Sequence, residues 1–145
     1  MTKVITDKLT PTEWDSAEQK AKFIRQFVRF VESDFKQSLF VKWFYTRVSN
    51  TFGHIAHYNQ GGFYATWFTT TRDKLRFLLR TAEYGCYGEP EFTYCDAERA
   101  IKAWVIESNL IQKYRDRLQE EIETAERAQL EALKKKYPEG KDVPQ

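Results

Sequence analysis

The chain is 145 residues long, enough for one domain with a buried core and too short for two ordinary ones. Its 41% hydrophobic content, with eleven Phe, eight Tyr and four Trp, excludes a disordered chain, and only six Gly and four Pro argue against a loop-rich one. The net charge of +2 excludes a polycation that coats nucleic acid by bulk charge; the positive excess sits in residues 20–52, seven basic against two acidic, where any anion-binding surface should draw first.

Thr10, Pro11, Thr12 and Glu13 have the make-up of a helix start, with a Thr cap, Pro at the first helical position and Glu placed to reach back. Trp14, Ala17, Ala21, Ile24, Val28, Val31 and Phe35 then follow gaps of three and four, one face of a helix. Phe23, Phe27 and Phe30 widen that face, and Lys22, Arg25, Arg29 and Lys36 lie on the other flank. The pattern continues through Phe40, Phe44 and Val48, with a possible break at Ser33 and Asp34.

The stretches 54–58 and 63–70 are rich in aromatic and β-branched residues and flank Asn59-Gln60-Gly61-Gly62, which predicts a small β-hairpin over about 54–69. The alternative is all-α, with a helix from Phe63 onward, because Tyr64, Trp67, Thr71, Leu75 and Leu78 also suit helical spacing. A helix over 71–84 is expected either way, capped by Thr70 and ended by Gly85. Its arginines Arg72, Arg76 and Arg80, with Lys74 nearby, form a basic ridge.

Gly85, Gly88 and Pro90 then interrupt the helical pattern and imply an ordered loop carrying Tyr84, Tyr87, Phe92 and Tyr94. From Asp96, a candidate cap, no Gly or Pro occurs before Pro138, so a single helix is expected over 97–136, longer than a domain of this size is wide. The expected organisation is a mainly α helical bundle over 1–137, with about 113–137 as a projecting or dimer-forming arm and 138–145 as a flexible tail.

Chemistry is sparsely marked. His54 and His57 would share one face of a helix as metal ligands, but no Glu adjoins them as in zinc hydrolases, and two ordinary histidines are the simpler account. Cys86 and Cys95 are too few for a disulfide framework, nothing local activates either thiol, and a thiolate–imidazole pair stays a generic possibility. Glu89 and Glu91 fit a solvated loop as well as a carboxylate pair. Walker, dinucleotide and nucleophile-elbow motifs are missing, so neither catalysis nor a cofactor is expected. The first eleven residues carry charges where a signal peptide needs an apolar run, and no run has membrane-spanning length, which points to a soluble cytoplasmic protein without a membrane partner.

Two surfaces remain. Tyr and Trp anchor protein interfaces, and a short loop does not readily bury four rings, so Tyr84, Tyr87, Phe92 and Tyr94 suggest a patch for a partner protein, with the long helix as a second contact or a seam for self-association. The loop folded back as a lid is the competing reading. The expected function is therefore a non-enzymatic protein-interaction adaptor or inhibitor. The alternative is a nucleic-acid binder that grips phosphates with Arg72, Lys74, Arg76 and Arg80, extended by Lys22, Arg25, Arg29 and Lys36 if the two helices adjoin; solvated helix edges explain the same residues.

Overall fold

The structure, a computed structural model, describes residues 8–51 and 59–137. It is mainly helical and contains no strand among the described residues. The helices are α1 (Ala17–Glu32), α2 (Lys42–Thr51), α3 (Gln60–Trp67), α4 (Thr71–Glu83), α5 (Cys95–Glu107) and α6 (Leu110–Lys136), with a 3-10 turn at Gln37–Leu39. The hairpin expectation is corrected: Asn59, Gly61 and Gly62 open a helix rather than turn between strands. The Asn59 side chain accepts from Gly62 N at 2.7 Å and caps α3. Residues 54–58, with His54 and His57, lie outside the described residues.

The start of the first helix is also displaced. Thr10 does not cap one, its amide donating to Asp96 Oδ2 at 2.8 Å; Thr12 Oγ1 accepts from the amides of Trp14 and Asp15 and folds residues 12–15 into a turn. The helix begins at Ala17 behind a capping box, in which Ser16 Oγ accepts from Gln19 N at 3.1 Å and Gln19 Oε1 accepts from Ser16 N at 2.6 Å. Trp14 is thereby left outside the helix and out of the core.

α1 stops where the sequence suggests a break, at two successive left-handed residues, Asp34 and Phe35, both at φ 61°. That conformation is uncommon for a bulky side chain. It is held by the bond from Phe35 N to Phe30 O at 2.8 Å and by insertion of the Phe35 ring between Phe30, Phe68 and Tyr114, with centroids 5.2–5.7 Å away. The core around it is phenylalanine on phenylalanine. Phe30 alone meets Phe35, Phe40, Phe44 and Phe68 within 5.5 Å, mostly edge to face. Phe23, Phe27 and Phe30, expected at the flank of the α1 stripe, are its centre.

α5 packs on both α1 and α4, and α6 packs along α4. The single helix expected over 97–136 is two, broken at Ser108–Asn109. Asn109 takes the left-handed conformation, φ 58°, which only Gly and Asn adopt readily at a helix end. Asp96 does not cap α5 either; Tyr94 stands at that position, and the Asp96 carboxylate instead binds Lys20 and the amides of Thr10 and Ala97. In α6, Leu110 and Tyr114 are buried and Leu118 and Ile122 half-buried, whereas every residue over 123–136 is exposed.

Asp34 ties the end of α1 to α4 and α6. It accepts from the Tyr114 hydroxyl at 2.7 Å and from Arg117 at 2.8 Å, with Lys74 Nζ at 3.3 Å. Partial burial of its carboxyl is outweighed by the hydrogen bonds from Arg117 and Tyr114 and the charge of Lys74, which together hold its pKa below the ordinary carboxylate value. Burial and the same bond push the Tyr114 phenol well up.

Candidate functional site

The loop between α4 and α5 is fixed by local bonds and by one cation. The amides of Phe92 and Thr93 both donate to Glu89 O at 2.9 Å, and Thr93 Oγ1 donates to the same carbonyl at 3.0 Å. Gly88 takes φ +92°, and a Cβ there would stand 2.6 Å from Thr93 Cγ2, so the turn needs glycine. Beneath it lies Lys20 of α1, fully buried, its ammonium donating to Pro90 O and Thr93 O at 2.9 Å and to Asp96 Oδ1 at 2.8 Å. All three ammonium protons are used, which is what allows a lysine to be buried.

This clamp presents two rings to water. Tyr87 is 75% and Phe92 80% exposed, while Tyr84 is half-buried and packs edge-on to Tyr87 at 6.1 Å. Tyr94, grouped with them by sequence, is buried: Arg47 of α2 lies 3.8 Å over its ring centroid, and burial pushes its phenol up to about 12. The turn at 12–15 adds a third ring from the other side, Trp14, 83% exposed. Nine phenylalanines are buried, so Phe92 departs from the habit of the chain. Burying such a ring stabilises by roughly 1.5–3 kcal/mol, and Trp14, Tyr87 and Phe92 forgo that.

The three rings surround a cavity of about 450 Å3, whose lining also includes Asp15, Arg47, Thr51, Tyr84, Tyr94 and Glu98. Asp15 and Arg47 pair across it at 3.5 Å. A smaller cavity of about 260 Å3 shares Asp15, Arg47 and Tyr94 and extends toward Lys22 and Trp43. At the base of the larger one, Glu98 of α5 is only 5% exposed and its Oε1 has no hydrogen-bond partner among the described residues; the same holds for the buried Thr51 Oγ1. Burial outweighs the nearby charges of Arg47, Arg99 and Lys20 and, together with Asp96, raises the Glu98 carboxyl to about 7.

Sequence reading misses Trp14, Arg47, Thr51 and Glu98. Trp14 fits the spacing of a helical face, but the helix itself starts only at Ala17. Glu98 does carry a signal, because with Ile101 and Val105 it follows the i, i+3, i+7 spacing of the buried side of α5, and an acid on such a stripe calls for an explanation.

The basic residues are placed apart from this cavity or are engaged. Lys74 is buried against Asp34, Arg25 pairs with Glu18, and Lys22 lies 4.6 Å over the Trp43 ring. Arg76 and Arg80 both stack on Trp67, at 4.8 and 5.4 Å, and Arg76 also pairs with Asp73 at 3.2 Å. Arg72, Arg29 and Lys36 are exposed. α1 and α4 each pack on α5, and they meet one another through Phe27 and Phe77, stacked at 6.0 Å. Cys86 and Cys95 are buried free thiols; burial and the charge of Glu98 push Cys86 up, away from thiolate chemistry. Glu89 and Glu91 are exposed on the loop. No group of three or more His, Cys, Asp or Glu suited to a metal occurs among the described residues, and none of their helices is long and apolar enough to cross a membrane. No family model, no curated protein and no solved structure matches the chain.

Proposed function

We propose that the chain is a small non-enzymatic protein-binding module, an adaptor or inhibitor, that takes hold of its partner at the cavity rimmed by Trp14, Tyr87 and Phe92. One observation carries the reading: three large rings from two distant segments stand exposed around one cavity, whereas every other phenylalanine among the described residues is buried. Exposed aromatic anchors beside a recess that can receive a side chain are how protein interfaces concentrate their energy. The loop is also pre-ordered by Lys20 and Gly88, so binding costs little ordering entropy. The exposed half of α6, with Leu130 and Leu133 in water, is the second docking element of this reading.

Affinity capture from the native host with three baits tests it: the natural chain, a Trp14→Ser/Tyr87→Ser/Phe92→Ser variant, and an Arg72→Glu/Arg76→Glu/Arg80→Glu variant, each washed at low and high salt. The expected result is a protein retained at high salt by the natural chain and the arginine variant and lost by the ring variant. Nucleic acid retained only at low salt and released by the arginine variant overturns the proposal in favour of phosphate binding. A partner indifferent to the ring substitutions overturns it as well.

A further inference from the structure

The cavity holds an unbalanced arrangement of polar groups. Its charged residues among those described are Asp15, Arg47 and Glu98, and Asp15 and Arg47 satisfy one another at 3.5 Å, with the guanidinium stacked on Tyr94. The other charges acting on Glu98 are committed or remote: Lys20 of α1 spends its protons on Pro90, Thr93 and Asp96, Asp96 of α5 is bound in return, and Arg99 of α5 faces solvent. Tyr84 and Cys86, after α4, are both shifted toward their neutral forms. Glu98 is thus left as a buried acid without a counter-ion in contact among the described residues, its Oε1 and the Thr51 Oγ1 that lines the same cavity both lacking a hydrogen-bond partner there. Leaving such acceptors buried and unpaired is unfavourable, and a cationic donor is what relieves both.

We propose that the cavity receives an alkylammonium group, the end of a lysine-type side chain on the partner, with Glu98 as counter-ion, Thr51 as second acceptor, and Trp14, Tyr87 and Phe92 around the methylene stem. The inference rests on the protein-binding reading and adds the chemistry of what enters. An ammonium has three donors and no acceptor, so Oε1, Thr51 Oγ1 and a water at the mouth satisfy it, whereas a guanidinium brings five donors in a rigid fork to two oxygens. Aromatic faces attract the cation and cover its stem. An anion would meet the Glu98 carboxyl instead.

The test is amide-resolved NMR titration of the full chain with N-acetyl-lysine methylamide, its trimethylated form, the norleucine isostere with the same stem and no charge, and N-acetyl-glutamate methylamide. The lysine probe is expected to shift the amides of Thr51, Tyr87, Phe92 and Glu98, to bind tighter than its trimethylated form, and to gain about tenfold in affinity between pH 6 and pH 8 as a carboxyl with pKa near 7 ionises. Histidine side chains in general ionise in the same window, so the assignment requires Glu98→Gln to remove the pH dependence and at least tenfold of the affinity. Should that variant not fold, Thr51→Val must weaken the lysine probe and spare the norleucine one. Norleucine binding as tightly as lysine overturns the cation site and leaves the aromatic protein-binding surface standing. Preference for the glutamate probe overturns the cation site, and silence with every probe overturns both.

Discussion

Lys20 Nζ and Asp96 Oδ1 stand 2.8 Å apart, one on the first turn of α1 and the other on the first turn of α5, with the ammonium shut off from solvent and the carboxylate nearly so. The pair does more than join two helices, because the same ammonium holds the carbonyls of Pro90 and Thr93 and the same carboxylate holds the amide of Thr10. Both segments that carry the exposed rings are therefore anchored through one ion pair.

Lys20→Met should cost about 3 kcal/mol, since removing one member of a buried pair leaves the other, and here two carbonyls besides, without a partner. Lys20→Arg should also destabilise, because a planar fork does not fit three oxygens grouped about a point charge. Urea unfolding measures both. Hydrogen exchange should show the loss concentrated at 89–94; protection lost evenly over the bundle would place the effect elsewhere.

Glu98 gives the fold an unusual pH dependence. Its carboxyl is raised from about 4.5 to about 7, so between those values the folded chain binds more protons than the unfolded one. Stability from this group is therefore complete below about pH 4.5 and is lost as pH rises to about 7, by at most about 3 kcal/mol. Glu98→Gln should flatten the profile over that range and make the chain more stable than the natural one at pH 8, read by urea midpoints at several pH values. Asp34 works in the opposite sense: its lowered pKa contributes stability above the ordinary carboxylate value that is lost as pH falls through the lowered one.

What can be read from the residues alone follows from which signals are periodic. The α1 face, Thr70 as a cap and the helix over 71–83 are legible, because repeated apolar spacing and a side-chain cap are local properties. The stretch over 60–67 is legible only as the all-α alternative, since its aromatic and β-branched residues also suit a strand in isolation; the Asn59 cap and the contact of Phe63, Trp67 and Phe68 with Phe40 and Phe77 favour the helix. Of the site, Tyr87 and Phe92 are legible as surface rings. Glu98, Thr51 and Arg47 are not, because their meeting depends on how α2 and α5 are brought together across the bundle.

Asn109 is the other place where a single residue outweighs the pattern. Apolar spacing runs from Ala97 through Ile111 without Gly or Pro, yet the left-handed Asn109 separates α5 from α6. Asn109→Ala should lower stability by about 1 kcal/mol, because alanine enters the left-handed conformation less readily than asparagine, and Asn109→Gly should be neutral or slightly stabilising. Thermal unfolding of the two variants side by side decides it; equal midpoints would mean that the backbone strain is absorbed elsewhere.

The length of α6 that the fold requires is set by Tyr114 and Arg117. Tyr114 is 2% exposed, stacks edge-on to Phe35 at 5.7 Å and donates to Asp34, while Arg117 adds a second bond to Asp34 and one to Thr71 at 3.1 Å. These contacts hold the strained Asp34–Phe35 turn against α4. A chain ending after Lys113 loses them all, together with about 2–3 kcal/mol of burial from the Tyr114 ring alone, and should fail to unfold cooperatively. A chain ending after Ile122 keeps every one and removes, among the described residues, only exposed ones and the half-buried Tyr137, so its midpoint should stay within a few degrees of the full chain. Calorimetry on the two truncations separates a buried from a solvated half of this helix; comparable loss in both would show that residues 123–136 stabilise the fold through contacts other than burial on the bundle.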